Sequence, residues 1–265
     1  MVAYLMDRVR DFWLYFVKRK AKGFAMRNTV NVLGVNVDKV TFDEALDIAE
    51  GLVRTEGVSA IFTPNPEIIM CAKEDEKLRE ILNSAELCTA DGIGVVYGAK
   101  ILGDPVPERV AGFDLTCALL ERLAKTGEGV FLFGAKPQVA ERAKANLEKK
   151  YPGIVISGTR NGYFKPQDED EIVEEINKSG AKVLLVCLGA PKQEKWIAKH
   201  KGMLKVNLCL GVGGTLDVLA GEVKRAPEIF IKLNLEWAYR ILKNPSRIGR
   251  FMALPKFVIE ALKEK

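Results

Sequence analysis

Hydrophobic positions along this chain change period again and again, from continuous runs to helical spacing and back. Residues 29–40 are β-branched and broken by Gly34 and Asn36, a strand or hairpin that opens the domain. Thr41 begins a Thr-x-x-Glu capping box, and Ala45, Leu46, Ile48, Ala49 and Leu52 recur on one face behind it. Apolar runs follow at Ser59–Phe62, Leu87–Ala90, Val130–Gly134, Ile154–Gly158, Val183–Gly189 and Val206–Val212, each short enough for a strand. Amphipathic stretches separate them: one from Pro66 to about Ala85, then Val95–Leu102, Phe113–Lys125, Pro137 to about Lys150, Asp168–Lys178, and one opened by Pro191. Strands that are apolar on both faces and alternate with helices predict an α/β fold. Its sheet is mainly parallel and Rossmann-like, with helices on both faces. Right-handed crossovers place every strand-to-helix loop on one edge. Thr63–Glu67, Asp91–Gly94, Gly134–Pro137, Gly189–Gln193 and Gly213–Asp217 therefore converge there.

Composition refines this picture. An apolar content of 48% supports a packed core and excludes disorder. The five cysteines are widely spaced, with no Cys-x-x-Cys, and read as reduced core thiols of a cytosolic protein. One histidine, His200, sits in the sequence KHK and reads as a solvated helix end, which argues against a Ser-His-Asp triad. Net charge is +5, unevenly spread. Residues 1–25 hold six Lys or Arg against two Asp, residues 222–265 hold ten against five Glu, and residues 26–221 hold 24 against 28 acidic residues. The division expected is a basic amphipathic segment at 1–25, an α/β catalytic domain at 26–221 and a basic helical C-terminal appendage at 222–265. Basic ends on an acidic body suit a polyanion, either a membrane surface or nucleic acid. No run approaches the roughly 18 apolar residues of a membrane-spanning helix.

Candidate chemistry concentrates on the shared edge. Asp91 ends a strand and precedes Gly92 and Gly94, glycines that would let a substrate approach the backbone; the plainer reading makes Asp91 a helix cap. Gly189-Ala-Pro-Lys-Gln193 joins a strand to a helix N-terminus, where backbone N–H groups and Lys192 suit a phosphate. Gly211-Val-Gly-Gly-Thr215 repeats the idea around Gly213, but neither stretch is a Walker loop, and Leu216 stands where a dinucleotide fingerprint needs glycine. Asp217 either accepts from a base or ribose or fills the first turn of a helix. Asp168 and Asp170 fit an Asp-x-Asp metal pattern, yet they lie at a helix start where acidic residues offset the dipole.

Taken together, FTPNPEI (62–68), TADGIG (89–94), ERVAGFD (108–114), FLFGAKP (131–137), NGYF (161–164), VCLGAPKQEKW (186–196), GVGGTLDVLAG (211–221), KRAPE (224–228) and LEWAYRILKNPSRIGRF (235–251) resemble the WecG/TagA/CpsF glycosyltransferase family. The likeness runs in order over about residues 29–254 and leaves residues 1–25 outside it. It implies a metal-independent, inverting sugar transfer from a UDP donor, with no cofactor. In the TagA branch N-acetylmannosamine passes to undecaprenyl-diphosphate N-acetylglucosamine, an early step of wall teichoic acid synthesis; the WecG branch uses the uronic acid form of the donor. Overall likeness favours the TagA branch. The resemblance implies Asp91 as base for the acceptor hydroxyl, with Thr63, Asn65, Gln193 and Arg109 on the substrate. Tyr163, Gly189, Gly213 and Asp217 are the expected nucleotide side. Arg240, Arg247 and Arg250 belong to the family's C-terminal motif and suit a diphosphate. The partners expected are a UDP-sugar, a polyprenyl-diphosphate sugar acceptor and an anionic membrane surface, not nucleic acid, with a homo-oligomer left open. The expected location is cytoplasmic and peripheral, on the inner face of the cytoplasmic membrane. Two competing readings are a Rossmann-type NAD(P)- or nucleoside-binding enzyme and a non-catalytic membrane or nucleic-acid adaptor.

Overall fold

The computed structural model of the chain describes residues 27–233, 235–243 and 253–265, with backbone alone for Lys232, Arg240 and Ile241. The segment 1–25, Arg247 and Arg250 lie outside the described residues.

The opening β-branched stretch is a hairpin of β1 (Thr29–Val32) and β2 (Val35–Asp38), paired antiparallel. Leu33 and Gly34 form its tight turn, both at positive φ. Behind it runs α1 (Phe42–Val53), with both bonds of the Thr41–Glu44 capping box formed. Then β3 (Ser59–Phe62) leads into α2 (Pro66–Glu74) and α3 (Glu76–Asn83). The sequence predicts one helix here. Asp75, at φ −112 and ψ 97, ends the first and caps the second, accepting from the Leu78 N–H at 3.0 Å. The chain continues through β4 (Leu87–Cys88), α4 (Ile93–Ile101), α5 (Gly112–Thr126), β5 (Gly129–Gly134) and α6 (Val139–Lys150). Next come β6 (Val155–Arg160), α7 (Glu169–Lys178), β7 (Val183–Cys187), α8 (Lys192–His200) and β8 (Leu208–Gly211). Short helices α9 (Thr215–Leu219), α10 (Glu228–Lys232) and α11 (Glu236–Lys243) precede the last, α12 (Ala253–Lys263).

Six strands form one parallel sheet in the order β4-β3-β8-β7-β5-β6. Alternation along each strand divides the core into two layers. Phe62, Phe131, Phe133, Leu184, Val186 and Cys209 face one side with α2, α3, α4, α7 and α8. Ile61, Val130, Leu132, Val183, Leu185, Leu208 and Leu210 face the other, under α1, α5, α6 and α9. All five residues of β7 are buried, as a strand covered on both faces requires.

The basic C-terminal region is not all periphery. Phe257 and Ala261 of α12 are fully buried in the first core layer. Gly94 and Gly98 of α4 form the floor beneath that helix. A Cβ on Gly94 would come within 2.7 Å of Leu254, and one on Gly98 within 2.6 Å of Phe257. Lys73 of α2 adds ion pairs to Glu260 and Glu264.

His200 departs from its expected place at a solvated helix end, being almost fully buried. Its ring packs tilted against Trp196, centroids 4.5 Å apart, Nδ1 lies 2.9 Å from the Trp196 carbonyl, and Nε2 lies 3.3 Å from Glu169. Cys71 likewise is exposed rather than a core thiol. Burial pushes Cys88, Cys187 and Cys209 up to about 12, so those three behave as inert core thiols.

Candidate active site

The site begins where three loops are stitched together above β3 and β4. Thr89 N–H donates to the Phe62 carbonyl at 3.0 Å and Asp91 N–H to that of Pro64 at 3.2 Å. Val110 N–H donates to the Ala90 carbonyl at 3.0 Å, and the Thr89 hydroxyl returns a bond to Val110 at 3.1 Å. These bonds carry the chain past the formal strand ends and bring Thr63, Asp91 and the Arg109–Gly112 stretch side by side. The Thr63 hydroxyl lies where a Cβ on Gly112 would fall, only 2.4 Å away, so the glycine of ERVAGFD makes room for Thr63.

The cap of α4 is Gly92, not Asp91. Gly92 has φ 97, a conformation that strains any other residue. Asp91 thus stands one residue outside the helix, partly exposed at the carboxyl edge of the sheet. Gly94 serves a different end from the one its sequence context suggests: Leu254 and Pro66 cover it, not a substrate. Asn65 caps α2, its Oδ1 accepting from the Ile68 N–H at 3.0 Å. The Arg109 guanidinium is mostly buried and faces Asp114 at 3.5 Å and Glu236 of α11 at 3.8 Å. Asp114 is also paired with Arg225 at 2.6 Å. The body and the C-terminal region therefore meet at Arg109.

Further along the same edge lies an open cleft of about 610 Å³, lined by Gly162, Tyr163, Phe164, Lys165, Asp168, Leu188 and Lys192. It lies over the reversal of strand order, since β5 leads outward to β6 and the chain then crosses back to β7. Open α/β sheets bind ligands at such reversals. Tyr163 is 67% exposed there, and the Lys192 ammonium lies 4.4 Å above the Phe164 ring. Asp168 accepts from the Lys165 N–H at 2.8 Å, and Glu169 pairs with Lys199. Both serve the start and packing of α7, the role that their place at a helix start suggests, while Asp170 is exposed.

Between these two regions lie the glycine turns. Gly189 (φ 77) precedes a cis Ala190–Pro191 bond, and Gly213 (φ 52) follows β8. Asp217 stands in the first turn of α9. Gln193 is only 2% exposed, with both ends of its amide bonded inside the protein. Its neighbour Glu194 is buried too, a feature the sequence hides, because a glutamate in the first turn of a helix reads as solvated. The structure thus brings Thr63, Asp91 and Arg109 together at one end of the edge and places Tyr163 at the other. The Arg240 side chain lies outside the described part.

A parallel sheet whose carboxyl edge carries an acidic residue at one end and an aromatic, cationic cleft at the other has the layout of an α/β enzyme that takes its ligand along that edge. The profile of the Glycosyl transferase WecG/TagA/CpsF family matches residues 30–265, and the chain belongs to that family. It is 38% identical over 205 residues to an N-acetylglucosaminyldiphosphoundecaprenol N-acetyl-beta-D-mannosaminyltransferase of Bacillus spizizenii, covering 77% of this chain and 79% of that one. A protein of the same name from Staphylococcus aureus is 36% identical over 238 residues, 89% of this chain and 93% of its own. The Bacillus subtilis protein of that name is 36% identical over 207 residues, or 78% and 80%. Among the described residues no helix is long and apolar enough to cross a membrane.

Proposed function

We propose that this glycosyltransferase moves N-acetylmannosamine from UDP-N-acetylmannosamine to the 4-hydroxyl of N-acetylglucosamine on undecaprenyl diphosphate. Transfer inverts the anomeric centre, needs no metal, and takes place on the inner face of the cytoplasmic membrane. The acceptor and the sugar follow the names of the relatives. The carrying observation is the position of Asp91, at the carboxyl edge and outside the helix cap, beside Thr63 and Arg109.

A sugar hydroxyl is a poor nucleophile near neutral pH. Asp91 takes its proton as the oxygen attacks the anomeric carbon and the bond from that carbon to the diphosphate oxygen breaks. One displacement inverts the centre and needs no second carboxylate as nucleophile. Negative charge then grows on the leaving UDP. Arg109 serves it well, because its contacts to Asp114 and Glu236 are long for charged hydrogen bonds and a diphosphate can replace them. Arg240, Arg247 and Arg250 complete this charge from the C-terminal region. The uridine lies at the cleft end, on Tyr163 with Gly189, Gly213 and Asp217. Three strand spacings, about 14 Å, separate the loops after β4 and β7. That span suits a ligand with a nucleoside at one end and a reacting sugar at the other. Exposed Ile229, Leu233, Trp237 and Leu242 interleave with the basic residues of the C-terminal region and suit an anionic bilayer, where the acceptor's polyprenyl tail resides.

The test is UDP release with each candidate UDP-sugar, including the N-acetylmannosaminuronic acid donor, and a lipid-diphosphate N-acetylglucosamine acceptor. Release with UDP-N-acetylmannosamine that requires the acceptor is the expected result. Release only with the uronic acid donor would move the protein to the other branch. No release from any UDP-sugar, together with tight binding of NADH, would overturn the reading.

A further inference from the structure

The first turn of α8 contains a buried carboxyl that the transfer chemistry leaves unused. Glu194 is 1% exposed. Its Oε1 accepts from Gln193 Nε2 at 2.9 Å, and Gln193 Oε1 accepts from the Gly213 N–H at 2.9 Å. The Gln193 side chain thus ties α8 to the turn after β8, and Glu194 holds the other end of its amide. A Cβ on Gly211 would lie 3.2 Å from both Gln193 Nε2 and Phe62, so the amide is laid across the end of β8. Only one orientation of that amide satisfies both neighbours, with the oxygen toward a donor and the nitrogen toward an acceptor.

The second carboxyl oxygen, Oε2, is buried with no hydrogen-bond partner. Leaving such an oxygen unpaired in the interior is costly. What an apolar residue cannot supply is an acceptor for the Gln193 amide. We propose that Glu194 is a positioning residue for the transfer: by orienting Gln193 it holds the Gly213 turn, and with it Asp217, in the place the nucleotide meets. Burial also pushes the Glu194 carboxyl above the ordinary range. The proposal rests on the reading of this edge as the nucleotide site.

Three substitutions test it in the full-length protein. Glu194→Met keeps the length and removes the acceptor; Glu194→Gln keeps an acceptor oxygen; Glu194→Asp withdraws the carboxyl by one methylene. Glu194→Met is expected to raise the KM for the UDP-sugar and the Kd for UDP about 10-fold, with kcat lowered less than about threefold. Glu194→Gln should restore both constants to within about threefold of the parent. Hydrogen exchange of the peptide holding Gly213 should be faster in Glu194→Met and near normal in Glu194→Gln. If Glu194→Met does not fold, Glu194→Asp takes its place with the same expectations. Unchanged KM and exchange in the acceptor-lacking variant would overturn the proposal. So would a Glu194→Gln variant as impaired as Glu194→Met, which would make charge rather than the acceptor what matters. Failure of the parent protein to bind UDP would instead sink the nucleotide reading, and the exchange measurement would still decide whether Glu194 holds the Gly213 turn.

Discussion

The two ends of the sheet's carboxyl edge are built in opposite ways. Above β4 and β3 the loops are bonded to one another, Gly112 gives way to Thr63, and α12 closes over Gly94 and Gly98 with Leu254 and Phe257. Above β7, β5 and β6 the edge opens into a cleft walled by an exposed tyrosine and a lysine on a phenylalanine face. Under the proposed function a base at the first end is held at fixed geometry to the reacting atom, which rigidity there would serve. Under the same proposal a donor enters and UDP leaves at the second end, which openness there would serve. Packing and access are thus divided along a single edge, with the Gln193–Glu194 tether between them.

Substitutions can break this contrast at either end. The largest effect is expected from Phe257→Ala. It empties a fully buried site between α4 and α12 and should lower unfolding free energy by about 3–5 kcal/mol in urea titration. A loss below about 1 kcal/mol would show that α12 is not part of the rigid end. Asp91→Asn comes next: turnover should fall about 100-fold or more, equivalent to roughly 2.7 kcal/mol, with little change in melting temperature or UDP affinity. Near-normal turnover would remove Asp91 from the role of base. At the open end, Tyr163→Ala combined with Lys192→Ala should weaken UDP binding about 10-fold by calorimetry and leave stability within about 0.5 kcal/mol. A large stability loss there would mean that the cleft is structural.

A smaller effect concerns pH. Burial raises the Glu194 pKa in the folded protein above its unfolded value. The folded state then holds a proton that the unfolded chain releases, so stability falls as pH rises from the ordinary carboxylate range toward the folded value. Glu194→Gln cannot ionise, so its melting temperature should gain on the parent's across that window. A constant difference would show that Glu194 does not titrate differently on folding. The smallest effect is expected for Asp168→Ala with Asp170→Ala, or for EDTA, each leaving the transfer rate nearly unchanged. A rate that collapses in EDTA and returns with manganese would overturn metal independence.

Much of this contrast can be read in the sequence. The continuous apolar runs predict the parallel sheet, and the strand ending at Asp91 places that carboxylate on its edge. Pattern alone does not show what covers a glycine. Gly94 reads as room for a substrate and is room for Leu254, because the covering residue comes from a distant part of the chain. Asp75 breaks a predicted helix by offering its own side chain as a cap, a local alternative that periodicity does not detect. His200 and Glu194 look solvated because both are polar residues of an amphipathic helix. In the structure the His200 ring meets Trp196 and Glu169, and the Glu194 carboxyl meets Gln193, contacts that periodicity does not show.

The seat of α12 also has a bearing on how the molecule assembles. Gly98 and Phe257 come from widely separated parts of the chain, and their contact must close a very long loop. Contacts of that kind form slowly, after local helices and neighbouring strands have had time to settle. The β3–β8 pairing in the centre of the sheet closes a loop almost as long, so sheet and α12 face the same demand, and a chain in which α12 is undocked leaves the glycine floor of α4 bare. An uncovered strip of core of that kind is the sort of surface on which incompletely folded chains associate.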